Sequence, residues 1–192
     1  MELIKTKSFE LASISQGDKN SGKLALLLPG RLDTKDYVSF VSHLKYFADR
    51  GFYAVAFDPP GTWDSPGETD LFTTTSYIKA VNELIEYFGN RPTLLLGHSR
   101  GASVAILVAG SNPVVNAIIP IMANYGEPSA PTEEALKNGF QLSSRDIPPG
   151  SSKTEKQKIF KLSVNYWTDG KKYNPEEALK KCAVPKLLIY WN

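Results

Sequence analysis

A short apolar strand that leads into a Gly-x-Ser-x-Gly sequence constrains the fold of this chain more than any other feature. The strand covers Thr93 to Leu96, and Gly97-His98-Ser99-Arg100-Gly101 follows it and opens a helix of small residues. Glycine is needed two positions before and after Ser99 when a strand turns sharply into a helix, because a Cβ there would strike neighbouring backbone. Such a turn exposes Ser99 as a nucleophile, and the first helix amides point towards an oxygen that becomes negative beside it. Taken alone, the motif is equally compatible with a structural turn.

Four apolar runs lack the alternation of half-exposed strands and therefore predict parallel strands that are buried on both faces. These runs cover residues 24–28, 53–57, 93–96 and 114–121. Two amphipathic patterns between them predict helices, the first from Asp33 or Thr34 to about Gly51 and the second from Thr73 or Thr74 to Gly89. This order predicts an α/β protein with a three-layer α/β/α sandwich and a mostly parallel sheet. The first fifteen or so residues alternate enough to predict an antiparallel edge hairpin.

Two further segments, together with the serine motif, make the chain resemble the α/β-hydrolase family over nearly all of its length. Leu24 to Arg31 resembles the family's strand and oxyanion loop, with Pro29-Gly30 where His-Gly is usual. Tyr53 to Ser65 resembles the next strand and its Asp-x-x-Gly-x-Gly-x-Ser turn, with Trp63 where the second glycine is common. The three motifs stand in the family's order.

The resemblance implies roles for three residues. Ser99 is expected to be the catalytic nucleophile, and the backbone amides of Arg31 and Arg100 are expected to form the oxyanion hole. A hydrolase of this kind needs neither a metal nor an organic cofactor. We expect one domain over residues 1–192, because a chain of 192 residues with 42% hydrophobic content can bury a sizeable core.

The segment between the fourth buried strand and an apolar run at residues 186–190 is much longer than an ordinary connection. We expect residues 125–183 to form a helical lid, as is common in this family. Its predicted helices are Thr132 to Asn138, Lys153 to Trp167 and Pro175 to Lys181. The candidate substrate pocket consists of Trp63, Phe160, Val164 and Trp167. Plain packing is the alternative for the last three, which share one face of the middle helix.

A serine nucleophile requires a base, and neither histidine of the chain is well placed to act as one. Strand alternation should turn the His98 side chain away from Ser99, and His43 falls on the flank of the first helix. The resemblance puts the acid and the catalytic histidine beyond Asn192. We therefore expect a truncated gene product that lacks both residues, the last strand and the last helix; a degenerate, non-catalytic relative is the alternative.

Several charged residues have competing interpretations. Glu127 is a candidate substitute for the acid, but it has no histidine to orient. Asp58 and Asp64 are expected to hold the loop after their strand through local hydrogen bonds. The side chains of Arg31 and Arg100 either bind a carboxylate or phosphate of the substrate or pair with a nearby surface carboxylate, Asp33 or Asp36.

Composition excludes several classes of protein. Twenty-two basic and twenty acidic residues are interspersed and give a net charge of +2, which does not indicate a nucleic-acid partner. The single Cys182 cannot form an internal disulfide, and no apolar run has the length of a membrane span. We expect a cytoplasmic protein with a small-molecule substrate; its oligomeric state is left open.

Together, the residues and the resemblance predict a serine hydrolase that acts on an ester, thioester or amide through an acyl-enzyme on Ser99. The chain itself is expected to be inactive or weak, because the acid and histidine are missing. Two alternatives stay open: a non-catalytic ligand-binding or scaffold protein of the same fold, and an acyltransferase.

Overall fold

The computed structural model describes residues 1–126, 129–147 and 156–190. The strands of the main sheet are, in chain order, β1 (Glu2–Lys5), β2 (Glu10–Gln16), β3 (Leu24–Leu28), β4 (Tyr53–Phe57), β5 (Thr93–His98) and β6 (Val115–Ile121). A separate hairpin consists of β7 (Phe140–Asp146) and β8 (Gln157–Ser163). The helices are α1 (Val38–Ala48), α2 (Thr74–Tyr87), α3 (Arg100–Ala109), α4 (Glu133–Asn138), α5 (Asn165–Gly170) and α6 (Pro175–Lys181), with a 3₁₀ turn at Thr69–Leu71.

The strand order of the main sheet is β1-β2-β4-β3-β5-β6. The four strands from β3 to β6 are parallel, whereas β1 and β2 form an antiparallel hairpin at the edge. The predicted strand at 186–190 follows β6 in parallel, since Ile118 faces Lys186 and Ile121 faces Ile189. The predicted mostly parallel α/β architecture is confirmed, as are the four parallel strands and the edge hairpin. Strand β6 differs from the prediction, because its residues alternate between buried and partly exposed instead of being buried on both faces.

Strand β3 shows why its sequence does not alternate. Leu24, Leu26 and Leu28 belong to the apolar cluster that includes side chains of α2 and α3. Ala25 and Leu27 belong to the cluster on the α1 side. All five are inaccessible to solvent, so helices cover the strand on both faces. Each buried leucine contributes roughly 1.5–3 kcal/mol to folding.

The start of the first helix differs from the prediction. The sequence predicts a start at Asp33 or Thr34, whereas α1 begins at Val38. The Thr34 hydroxyl donates to the Asp58 carboxylate at 2.8 Å, so it does not cap a helix. The amide of Tyr37 donates to the Thr34 carbonyl at 3.3 Å and closes a turn just before α1. The Thr34 side chain, which the sequence suggests as a helix cap, therefore makes a long-range contact with Asp58 instead.

The second helix begins and ends as predicted. The Thr73 side chain accepts a hydrogen bond from the amide of Ser76 and caps α2. Gly89 follows the helix at φ +82°, a left-handed conformation that favours glycine and ends the helix.

The predicted helix at Lys153–Trp167 is wrong over most of its described part. Residues 157–163 form β8, which pairs with β7 in antiparallel register, and α5 begins only at Asn165. Phe160 and Leu162 are both buried and lie two residues apart, which is the spacing of a strand. The predicted helices at Thr132–Asn138 and Pro175–Lys181 correspond to α4 and α6. Residues 153–155, with which the predicted middle helix begins, lie outside the described residues.

A buried lysine joins the loop after β3 to the loop after β4. The side chain of Lys35 is 1% exposed, and its Nζ lies 2.8 Å from Asp36, 3.0 Å from Asp58 and 2.7 Å from Asp64. Burial opposes the charge of Lys35, but its hydrogen bonds to Asp36 and Asp64 and the charge of Asp58 raise its pKa above the ordinary value. Burial raises the pKa of Asp58, which is inaccessible to solvent. The structure confirms that Asp58 and Asp64 hold this loop, through a cation that the local pattern does not reveal.

Among the described residues, no helix is both long and apolar enough to cross a lipid bilayer.

Candidate active site

Ser99 lies in the sharp turn between β5 and α3. Its φ is 51° and its ψ is −114°, a conformation that is strained for a residue with a side chain. A Cβ added at Gly97 would lie 2.3 Å from the carbonyl oxygen of Gly101, and one added at Gly101 would lie 2.0 Å from that of Leu28. The amide of Ser99 donates to the carbonyl of Ile121 at 2.8 Å, which fixes the turn against β6. The two glycines therefore allow the close approach of strand and helix that the sequence predicts.

The loop after β3 runs beside this turn. The buried Tyr77 hydroxyl of α2 donates to the carbonyl of Pro29 at 2.9 Å and holds the loop in place. Burial raises the pKa of Tyr77 well above its ordinary value, so the phenol stays a donor. Neither the amide of Arg31 nor that of Arg100 donates to an acceptor among the described residues. Both amides are thus free to bind an oxyanion; their assignment as the oxyanion hole stays a prediction.

A cavity of about 230 Å³ opens at Ser99. Its lining residues come from the loop after β3, the start of α2, helix α3, the segment after β6, and the segment around α5. Besides Ser99 they include Arg31, Thr74, Arg100, Asn124, Tyr166, Trp167 and Tyr173. The space suits a small ligand, since pockets for drug-sized molecules measure about 300–1,000 Å³.

Helix α5 forms one wall of the cavity and is fastened to α2. The Asp169 carboxylate accepts hydrogen bonds from the amide of Thr75 at 2.8 Å and from its hydroxyl at 2.7 Å. Lys172 lies 2.9 Å from the same carboxylate. Burial opposes the charge of Asp169, but these bonds lower its pKa below the ordinary value. The carboxylate thus fixes the helix that carries Tyr166 and Trp167.

The four residues of the predicted substrate pocket separate in the structure. Trp167 lines the cavity at Ser99. Trp63 and Phe160 instead pack edge to face, with ring centres 5.4 Å apart, and line a different depression. Val164 immediately precedes α5 and is not among the residues that line the cavity. The pocket prediction assumed a helix over Phe160, and the strand at β8 carries that side chain elsewhere.

Trp63 has a structural role at its unusual position. Its φ is 49°, which explains why glycine is common at this position of the Asp-x-x-Gly-x-Gly-x-Ser turn that this segment resembles. Its indole N–H donates to the carbonyl of Leu32 at 2.9 Å, and Lys158 of β8 donates to the carbonyl of Trp63 at 2.8 Å. Trp63 therefore connects the loop after β4, the loop after β3 and the hairpin.

Neither histidine lines the cavity. The Nδ1 atom of His98 lies 3.1 Å from the Asp33 carboxylate. His43 lies on the flank of α1, where its ring nitrogen bonds the carbonyl of Ser39. Glu127, the candidate substitute acid, lies outside the described residues. The cavity at Ser99 thus has no histidine among its described lining residues, and the catalytic role of Ser99 stays a prediction.

Sequence reasoning missed Tyr166 and Tyr173 in the cavity. The adjacent aromatic residues Tyr166 and Trp167 were the available signal for a pocket wall. That signal becomes informative only once the helix that carries them is known to start at Asn165. Among the described residues, no group of three or more His, Cys, Asp and Glu side chains is arranged to hold a metal ion.

The fold and the sharp turn at Ser99 define the class of protein, and comparison with known proteins agrees. Residues 25–177 match the model of the alpha/beta hydrolase family. The chain therefore belongs to the α/β-hydrolase family. A serine hydrolase-like protein of Dictyostelium discoideum is 30% identical over 106 residues, which cover 54% of this chain and 29% of that protein. The chain thus spans less than a third of the length of this relative.

Solved structures of low sequence identity share the fold. The structure of Est1E from Butyrivibrio proteoclasticus with bound ferulic acid is 18% identical with a TM-score of 0.73, covering 98% of this chain and 77% of that chain. A thioesterase domain from the curacin biosynthetic pathway is 16% identical with a TM-score of 0.68, covering 98% of this chain and 81% of that one. At these identities the similarities show that the fold is shared.

Proposed function

We propose that this protein is a serine hydrolase that acts on an ester, thioester or amide of a small molecule through an acyl-enzyme on Ser99. The observation that carries the proposal is the strained Ser99 turn at the mouth of a cavity. The names of similar proteins support the choice of chemistry, because one is a serine hydrolase-like protein and another is a thioesterase domain. Residues 125–183 serve in this proposal as a lid within a single domain.

In the proposed reaction, the Ser99 hydroxyl attacks the carbonyl carbon, and the carbonyl oxygen becomes negative. The amides of Arg31 and Arg100 stabilise that oxygen, a contribution of about 3–4 kcal/mol per donor in comparable sites. A base must take the serine proton and pass it to the leaving group, after which water hydrolyses the acyl-enzyme. This chemistry uses no metal or organic cofactor.

A weak rate is expected from this chain with an activated neutral ester such as p-nitrophenyl butyrate. Neither histidine lines the cavity, so Ser99 lacks a general base and should attack the ester far more slowly than the serine of a complete triad does. Ser99→Ala should reduce the rate to the background, whereas Ser111→Ala should not, because Ser111 is exposed beyond the end of α3. The rate is measured by release of nitrophenol. Equal rates for Ser99→Ala and the unchanged chain would contradict the proposal, and a robust rate abolished by His43→Ala would assign the base to that histidine.

A further inference from the structure

Two arginine side chains enter the cavity at Ser99 with few partners. The Arg31 guanidinium donates to the Ser143 hydroxyl at 3.2 Å, and that of Arg100 donates to the Thr74 hydroxyl at 3.1 Å. The Nε atoms of both arginines are buried, and they have no hydrogen-bond acceptor in the part of the chain that the structure describes. Arg100 has a further hydrogen-bond partner in Tyr166. Each guanidinium carries five N–H donors, so one or two neutral hydroxyls leave most of its capacity unused.

The aspartates nearest in sequence do not neutralise these arginines. Asp33 pairs with His98 at 3.1 Å and lies 4.0 Å from Arg145. Asp36 pairs with the buried Lys35. Among the described residues, no carboxylate lies within 4.0 Å of the Arg31 or the Arg100 guanidinium, and none of those that line the cavity is acidic. The alternative of surface ion pairs is therefore not what the structure shows.

One aromatic ring orients both cations. The guanidinium carbon of Arg100 lies 3.9 Å from the centre of the Tyr166 ring, and that of Arg31 lies 5.5 Å from the same centre. Phe72 contacts Arg100 at 5.0 Å, and Trp167 contacts Arg31 at 5.6 Å. The rings hold the planar groups in place while their N–H edges stay available.

Burial without a counter-ion is unfavourable for a guanidinium. Burial lowers the pKa of Arg100, because the charged form loses its hydration. Contacts with aromatic faces recover only part of that hydration, and an anion that hydrogen-bonds the free N–H groups would recover far more. Two such cations on one ring also repel each other, which favours an anion that contacts both of them.

We infer that the cavity selects substrates that carry a carboxylate close to the scissile carbonyl, bound by the side chains of Arg31 and Arg100. This inference rests on the proposed function, since it gives the substrate class of the same site. A carboxylate fits because it is small enough to share about 230 Å³ with the reacting group. It also meets a guanidinium fork through two parallel hydrogen bonds.

Binding without turnover tests the inference. The ligands are monomethyl succinate and its neutral counterpart dimethyl succinate, titrated by NMR into the full chain with Ser99→Ala, so that no ester is consumed. We expect the anionic ester to bind at least about tenfold more tightly, the size of one hydrogen bond to a charged group. Adding Arg31→Met or Arg100→Met removes a charge but keeps an apolar stem, and each should reduce the preference by about tenfold; Arg100→Lys should retain part of it.

Arg50→Met is the matched control. Arg50 also stacks on a tyrosine, 3.6 Å from the centre of the Tyr46 ring, but it lies in an exposed position after α1. This variant should leave the preference unchanged. Circular dichroism identifies any variant that does not fold, and the two single Met variants serve as independent tests.

The outcomes separate this inference from the proposed function. Equal affinity for the two esters, no binding of either, or a preference that survives both Met variants would overturn the carboxylate site. Tighter binding of methyl phosphate than of monomethyl succinate would also overturn it, in favour of a phosphate site. A clear preference for monomethyl succinate, together with a Ser99 that does not react in the unchanged chain, would instead support the carboxylate site and contradict the proposed hydrolase function.

Discussion

Gly101→Ala is expected to prevent the chain from reaching a stable native state. The added Cβ would lie 2.0 Å from the carbonyl oxygen of Leu28 and 2.6 Å from that of Pro29. Both atoms belong to backbone, and Leu28 is inaccessible to solvent in the centre of the sheet, so neither can move without separating α3 from β3. A loss of more than about 4 kcal/mol is therefore expected, a large part of the 5–15 kcal/mol that stabilises a typical domain.

Gly110→Ala in the same helix provides the control. Gly110 is exposed and has φ −70°, and the nearest atoms to an added Cβ are 3.6 Å away. Its replacement should be neutral or stabilising by up to about 1 kcal/mol. Urea unfolding followed by circular dichroism measures both variants. If Gly101→Ala unfolds at the same urea concentration as Gly110→Ala, the close approach of α3 and β3 is wrong.

Lys35→Met is expected to destabilise the protein by about 3–5 kcal/mol at neutral pH. The substitution fits an apolar side chain of similar length, but it leaves three carboxylates without their cation, and that of Asp58 is fully buried. Lys45→Met removes an exposed lysine paired with Asp49 at 2.8 Å and should cost less than about 1 kcal/mol. The free energies of unfolding are compared in urea.

The pH dependence of the Lys35→Met deficit distinguishes lost charge from lost packing. Asp58 already has a raised pKa in the folded protein, and removal of Lys35 raises it further. An acid with a raised folded pKa destabilises the fold as pH increases through the unfolded and then the folded pKa. The deficit should therefore be greatest at neutral pH and shrink as the pH falls and Asp58 becomes neutral. A deficit that is constant between neutral and acidic pH would indicate a packing effect.

Local sequence signals predicted the centre of the fold and the sharp turn at Ser99. The apolar runs at 24–28 and 53–57 identify strands covered on both faces, because such strands have no solvent-facing side to alternate with. The glycines around Ser99 identify the sharp turn between β5 and α3, since a Cβ at Gly97 would strike Gly101 and a Cβ at Gly101 would strike the backbone at the end of β3.

Features that depend on distant parts of the chain were not predictable in the same way. Thr34 resembles a helix cap, but Asp58 from the next strand takes its hydroxyl. Phe160 lies at helical spacing from Val164 and at strand spacing from Leu162. Only the pairing of this segment with β7 decides between a helix and a strand. The environment of Lys35 and the stacking of two arginines on Tyr166 likewise form only when separate loops come together.

Covalent capture examines Ser99 as the nucleophile without requiring turnover. The chain is incubated with a fluorophosphonate probe, and the adduct is measured by intact mass and located by peptide mapping. We predict one probe per chain on Ser99, no adduct in Ser99→Ala, and normal labelling in Ser111→Ala. An unlabelled folded chain, or equal labelling of Ser99→Ala, would show that the strained serine of this elbow is not a nucleophile.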